Sequence, residues 1–463
     1  MNQSTVSSKS FLSQNFRWLL WLRTSALTAC PLFYAAYHLR NSYFFFDEWD
    51  GFERSLHLRP WDAMKFSING HIMILDYWIH RIQITVFGID SHRFTIVLML
   101  SALLVLNYAL LLILRSFGVS GFTSLLIAAF FTYMGCGSQD FLFAAQISPL
   151  LAVATGILCV ATVLKFQKSH LRGALVASGL LLSSLIDSGM ATITIPAASL
   201  ILWHCWSRKH LWCVFPAASF IGLWYLTADL SPHFDSSLTE KIRFAFHLLL
   251  GSVGAIVGAG EIAGLFIIFI VITIFVEGRK LDIFSARTKI VSLAFALSTI
   301  LTTIAVSTSR SGMNGFTLSE ANRYAHNIAI PFALMSAPII VAATSHAKVC
   351  LPDIQTKFLW RISPTIFAFF CLAAAYPTFH LYASNFESTN VRVHQLVNES
   401  VQVIRQGCPV GTMLDTTSRP IGLLSPQVTT QLLFDLMTRD SLRGDDTIMP
   451  SQETIDIMCL PPS

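Results

Sequence analysis

The sequence predicts an all-α polytopic membrane protein of about eleven transmembrane helices, with interfacial helices and a small soluble C-terminal region. Three observations carry that expectation. Of 463 residues, 54% are hydrophobic and 12% charged, against about 25% charged in ordinary soluble domains, so most of the chain cannot be meeting water. The apolar runs extend from residue 17 to residue 379 rather than forming one anchor. The basic residues behind the formal charge of +5 fall in short loops between those runs, a pattern that reports topology rather than a nucleic-acid partner.

A helix needs roughly 20 apolar residues to cross a bilayer, and Lys and Arg favour the cytoplasmic side, so spans and orientation are fixed together. Residues 1–16 are expected inside, with Lys9. Leu27-Thr28-Ala29-Cys30 superficially matches a lipoprotein cleavage box. Arg23 leaves no room for an apolar core of ~7–15 residues before Cys30, so the first run, 17–39, reads as an uncleaved span with Arg17 and Arg23 at its inner end. Residues 40–91 then lie outside. The second span, 94–114, returns to Arg115; the third emerges by residue 134; the fourth, from 141, comes back to Lys165, Lys168 and Arg172.

The fifth and sixth spans form a hairpin around Asp187-Ser188-Gly189 and end at Arg208-Lys209-His210. The seventh exits near residue 227, and 228–260 stay outside with an interfacial helix at 240–257. The eighth re-enters to Arg279-Lys280, Arg287 and Lys289; the ninth leaves near 307; the tenth runs from 325 to Lys348; the eleventh covers 362–379. The transmembrane domain is thus 17–379, and the soluble region 380–463 lies outside.

Residues 68–87 are too polar for lipid, with Asn69, His71, Asp76, His80 and Arg81. Ile68, Ile72, Leu75, Ile79, Ile82 and Val86 form a stripe at spacings of three and four, the pattern of an amphipathic helix lying on the membrane. Seven of the nine cysteines fall in or beside spans and read as small apolar packing residues. Cys408 and Cys459, in the outer region, read either as a disulfide that staples a small core or as two unpaired thiols.

Three outward constellations carry chemistry. In Tyr43-Phe44-Phe45-Phe46-Asp47-Glu48-Trp49-Asp50, adjacent carboxylates leave an aromatic segment at the membrane face. Partial desolvation and mutual repulsion would raise a carboxylate towards a value suited to a general base; the bland alternative is a solvated acidic loop. In Ser309-Arg310-Ser311-Gly312-Met313-Asn314 and Glu320-Ala321-Asn322-Arg323-Tyr324-Ala325-His326, Arg323 falls where the tenth span begins. A guanidinium and a positive helix end would meet an anion there, unless the pair is an interfacial Arg–Tyr anchor. The third, Gly137 to Gln146, offers Asp140 as a second acid, with a helix-capping role the stronger reading, and Gln146 about a turn and a half further on. His71, Asp76 and His80 lack a third ligand at convincing spacing, so a metal site is not indicated, although a divalent ion remains compatible. No phosphate-binding loop, dinucleotide fingerprint or metalloprotease motif is present in the sequence.

In order and placement these features resemble the GT-C glycosyltransferases that use polyprenyl-phosphate sugars, among them the lipid A aminoarabinose transferases and the protein O-mannosyltransferases. The resemblance rests on a first span, the acidic pair Asp47-Glu48, a surface helix closing on Val86-Phe87-Gly88-Ile89-Asp90, and a second span closing on Leu114-Arg115-Ser116-Phe117-Gly118. The stretches Phe141 to Gln146 and Ala321 to Tyr324 are similar to ones in bacterial relatives of unassigned substrate. It covers roughly 15–380 in layout and only short stretches in residues.

That resemblance implies an inverting transfer at the periplasmic face of a bacterial inner membrane, from a polyprenyl-phosphate-linked sugar donor to an envelope glycan or glycolipid such as lipopolysaccharide. Asp47 would be the base, with Glu48 as neighbour or alternate and Asp140 as second acid. Arg323, with Arg310 and Tyr324, would bind donor phosphate, and His71, Gln146 and Trp49 would meet the acceptor. No cofactor is required. The sequence departs from the family at Asn69-Gly70-His71, where relatives often carry a proline- or histidine-rich phrase. A transporter or flippase is the rival class; such proteins place charges near the bilayer midplane and often show inverted repeats, whereas here charges gather in outward loops.

Overall fold

The computed structural model describes residues 32–33, 35–40, 42–44, 47–65, 72, 74–132, 146–227, 236–311, 322–350, 354–409, 412–414, 428–445 and 447–460. After helical residues at 32–33 and 35–39 come three short helices, α1 (Asp47–His57), α2 (Pro60–Lys65) and α3 (Ile74–Ile82), the last running on through a wide π turn, Gln83–Phe87. Next come α4 (Arg93–Ser116), α5 (Gly121–Thr132), α6 (Ile147–Lys165), α7 (His170–Ile186), α8 (Ser188–Cys205) and α9 (Phe215–Thr227). They are followed by α10 (Leu238–Ala255), α11 (Glu261–Lys280), α12 (Ala286–Arg310) and α13 (Asn322–Cys350). A 53-residue helix, α14 (Ile354–Gln406), leads to α15 (Thr430–Thr438) and α16 (Gln452–Met458).

The chain is an α-helical membrane protein: α4, α6, α11, α12 and the segment His326–Ala347 of α13 are each long and apolar enough to cross a bilayer. Shorter apolar helices, α5, α7, α8 and α9, pack among them. Within its apolar window α6 is 78% buried and α11 only 17%, so α6 is the centre of the bundle and α11 its lipid-facing rim. Local chemistry sets the starts. Ser169, Ser285 and Asp187 cap α7, α12 and α8 with side-chain oxygens, and Ser237 and Glu240 form a reciprocal capping box on α10.

Of the eleven expected spans, the first lies mostly outside the described residues, and the eleventh falls within α14. Helix α5 has 12 residues, about 18 Å at 1.5 Å per residue and short of a ~30 Å hydrocarbon core; residues 133–145, expected to complete the third and fourth spans, lie outside the described residues.

One end of the bundle is basic. There Arg287 Nη2 donates to Leu164 O at 2.8 Å and Ser116 O at 3.4 Å, tying the starts of α12 to the ends of α6 and α4. At the opposite end His326 Nε2 bonds Phe131 O at 2.9 Å, joining α13 to α5, and α3 touches α6 and α7.

At that end residues of the expected first loop and of the C-terminal region share one core. Val393, Val397 and Val401 line one face of α14 at a spacing of four and pack with Tyr43, Phe44, Trp49 and Phe52, and with Leu432, Leu433, Leu436 and Met458. The physical reason is that α1 alone cannot cover its own aromatic residues, and neither can α14. Cys408 and Cys459 form a disulfide. Beside it an antiparallel pair, Met413–Leu414 with Cys459–Leu460, adds a two-stranded ribbon to the expected all-α fold.

Candidate functional site

Asp47 and Glu48 open α1, where the positive end of a helix attracts carboxylates. Glu48 then turns into the protein and is 1% exposed. Its Oε1 lies 3.3 Å from Nε2 of His92, the residue just before α4. On the other side of the same ring, His92 Nδ1 lies 2.8 Å from Ser42 Oγ. Ser42 gives its hydroxyl proton to Leu39 O at 2.7 Å, so His92 Nδ1–H must be the donor to Ser42. The other ring nitrogen is thereby set against the Glu48 carboxyl at 3.3 Å.

Helix α3 brings a second acid–imidazole pair against the first. Asp76 and His80, one turn apart, are both buried, with His80 Nδ1 at 3.4 Å from Asp76 Oδ2 and 2.8 Å from Asp76 O. Burial alone would depress the His80 imidazole, but Asp76 outweighs it and Glu48 adds to it, so His80 is held above its ordinary value. The approach of α3 to α1 depends on Gly51: a Cβ there would stand 2.6 Å from the His80 ring. Phe52 meets the same ring edge to face at 4.9 Å, and Arg81 donates to Ser55 O.

The apolar stripe expected on residues 68–87 is divided in the structure. Ile72 and Ile79 are buried while Ile82 and Val86 are exposed, and the polar residues Asp76, His80 and Gln83 face protein. Their partners explain this. Gln83 donates to Ser91 O at 3.1 Å and accepts from Thr95 Oγ1 at 2.8 Å, tying the π turn to α4.

Other expected residues are distributed as follows. The side chain of Asp47 lies outside the described residues, as do His71 and Asp140. Trp49, expected to meet an acceptor, is 0% exposed and donates Nε1–H to Phe44 O at 3.0 Å; its place is the core. Asp50 stands 3.9 Å from Arg54 on the next turn. Gln146 is buried at the start of α6. Arg310 and Tyr324 do come together: the guanidinium lies 5.4 Å from the ring centre, and Arg310 is 5% exposed. Arg323 stands in the first turn of α13, with its side chain outside the described residues.

Ser42 and His92 were not singled out from sequence. Forty-four residues separate His92 from Glu48, and no spacing rule joins them; the one available signal is a histidine at the start of an apolar span. Asp90 was visible only as part of a family-like phrase. Its carboxylate accepts the Arg443 amide at 3.0 Å and the Gly444 amide at 2.9 Å, clasping the end of the surface helix to the C-terminal region.

Buried carboxylates and imidazoles beside the start of α1, and an Arg–Tyr pair at the same end of the bundle, suit proton transfer near an anion. Among the described residues no group of three or more His, Cys, Asp or Glu side chains is placed to hold a metal ion. No protein family, curated protein or solved structure matches this chain.

Proposed function

We propose that the protein is a GT-C-type glycosyltransferase of a bacterial inner membrane, moving a sugar from a polyprenyl-phosphate donor to an envelope glycan or glycolipid on the periplasmic face. The observation that carries this reading is the gathering of the acidic turn, its buried imidazoles and the Arg310–Tyr324 pair at the end of the bundle opposite the basic one. In this reading about eleven spans place the amino end in the cytoplasm and the carboxyl end in the periplasm, because basic loops stay inside. The Cys408–Cys459 disulfide supports an oxidising compartment for the outer region.

Asp47 takes the proton from an acceptor hydroxyl as that oxygen attacks the anomeric carbon. The bond from that carbon to the phosphate oxygen breaks with inversion, and polyprenyl phosphate leaves with the electron pair. Arg323 and Arg310 offset the charge on the departing phosphate, and Tyr324 fixes Arg310. Glu48, paired with His92, holds the acidic turn in place beside Asp47.

A carrier for an envelope lipid or glycan is the second reading, favoured by the hydroxyl-lined face of α12, where Ser298, Thr299, Thr302, Thr303 and Ser307 are buried in the bundle. Mass spectrometry of envelope glycans from cells with and without the gene separates the two. A transferase removes one sugar-sized mass from a finished glycan when deleted. A carrier leaves the glycan's structure intact and changes only its amount.

A further inference from the structure

A cavity of about 600 Å³ opens beside the surface helix, between the π turn Gln83–Phe87 and the loop that follows α15. Its wall contains three guanidiniums, those of Arg81, Arg439 and Arg443, and two carboxylates, Asp90 and Asp440. The carboxylates are committed internally. Asp90 accepts the backbone amides of Arg443 and Gly444, and Asp440 takes a two-pronged contact from Arg443 at 3.1 and 2.9 Å. Arg81 uses one N–H on Ser55 O, which leaves most of its five donors for another partner. Arg439 is exposed at the rim.

The other wall is apolar and faces outward. Val86 is 69% and Phe87 52% exposed. Phe87 stacks on Phe94 at 4.4 Å, and Phe94 belongs to the first turn of the spanning helix α4, so the cavity stands at the depth where that helix enters the bilayer. Further along α4 the exposed face continues with Val97. The turn is shaped for this: Gly88 has a positive φ of 66°, and its Cα hydrogen faces Ser441 O where a Cβ would come within 3.0 Å.

We propose that this cavity binds the headgroup phosphate of an anionic phospholipid, with Arg81 and Arg439 on the phosphate and the acyl chains along Val86, Phe87 and Val97. The site is separate from the Arg310–Tyr324 pair and does not depend on the transferase reading. A guanidinium matches phosphate oxygens two at a time, and apolar side chains that stand in water in the isolated chain find hydrocarbon on the membrane side.

The test is native mass spectrometry of the full-length protein, titrated in detergent with phosphatidylglycerol, phosphatidylcholine or inorganic phosphate. Phosphatidylglycerol should bind more tightly than phosphatidylcholine. Arg439→Gln should weaken it about fivefold, as expected for one surface cation near an anionic lipid, and weaken phosphatidylcholine less, because choline offsets the charge on its phosphate. Arg81→Gln should act in the same direction, and Arg439→Gln keeps the test valid if loss of the Ser55 contact impairs folding. Equal binding of the two lipids, or an Arg439→Gln protein that binds phosphatidylglycerol as before, overturns the proposal. Inorganic phosphate that displaces the lipid at matching concentration overturns it too, by pointing to a soluble anion.

Discussion

The membrane bundle and the outer assembly, the shared core that α1 and the C-terminal residues form at the end of the bundle away from the basic one, handle polar groups in opposite ways. In the bundle most hydroxyls fold back on their own helix: Thr299, Thr303 and Ser307 of α12 each bond a carbonyl four residues earlier, at 2.8, 2.8 and 2.7 Å. Such bonds satisfy a polar atom without choosing a neighbour. In the outer assembly the bonds run between distant segments: Glu48 with His92, Asp90 with Arg443 and Gly444, and Glu399 with Ser451 and Thr454 at 2.6 Å each. The difference teaches where specificity resides. Helices in lipid are placed by apolar packing and caps, and the outer assembly is placed by charged side chains whose partners lie far away in sequence.

That contrast predicts different sensitivities, and the largest is at Glu48. Glu48→Gln keeps the volume and removes the carboxyl that faces the buried His92 ring at 3.3 Å, at a cost of about 3 kcal/mol for breaking a buried pair. Thermal unfolding of the purified protein at neutral pH should show a clear drop; an unchanged midpoint would mean that the Glu48–His92 contact carries no weight.

The disulfide comes next. Cys408 and Cys459 are 51 residues apart, a loop whose closure is worth about 4 kcal/mol in the chain-entropy model. Cys408→Ser should therefore expose the outer assembly to limited proteolysis between residues 409 and 458 while the spanning helices stay protected. Equal protection of both regions would blur the distinction between them.

The outer assembly should also carry most of the pH dependence. His80 is held above its ordinary value of 6.5 by Asp76 and Glu48 against burial. Its contribution is complete below 6.5 and fades as pH climbs through the raised folded value. Glu399 is the reverse case. Burial pushes it up, but hydrogen bonds from Ser451, Thr454 and Gln395 hold it below its ordinary 4.5, so its contribution is present above 4.5 and lost as pH falls through the lowered value. In unfolding measured across this range, His80→Gln should flatten the alkaline decline and leave the acid limb in place. Loss of the acid limb instead would assign the dependence to the wrong group.

The smallest expected effect is at Asp90. Asp90→Ala should speed hydrogen exchange at the Arg443 and Gly444 amides by about tenfold, the loss of hydrogen bonds to a carboxylate, without altering exchange in α6. Unchanged exchange would mean that the clasp is held by the Ile89 amide on Ser441 O alone.

The same contrast explains what the sequence made legible. Spans α4, α6, α11, α12 and α13 follow from apolar length and basic ends, and the α7–α8 hairpin follows from Asp187, a capping residue between two apolar runs. The helix expected at 240–257 is α10, Leu238–Ala255. Hydropathy fails where polar groups are buried by partners. Asp76 and His80 read as the polar side of a surface helix and, with Gln83, turn inward, where Glu48 faces His80 and Ser91 and Thr95 bond Gln83. The resemblance made Trp49 an acceptor contact, yet it lies in one core with Val393 and Val397, more than 340 residues on. Pairings of that range leave no periodic trace.

If the acidic turn opening α1 performs the proposed sugar transfer, Asp47→Asn in living cells is the most direct test. The variant should accumulate in the membrane at the normal level with Cys408 and Cys459 still bonded, and envelope glycans should lose the sugar-sized mass that the gene's deletion removes, with transfer reduced at least about a hundredfold for loss of a general base. Full glycan modification by a normally accumulated Asp47→Asn protein would contradict the claim.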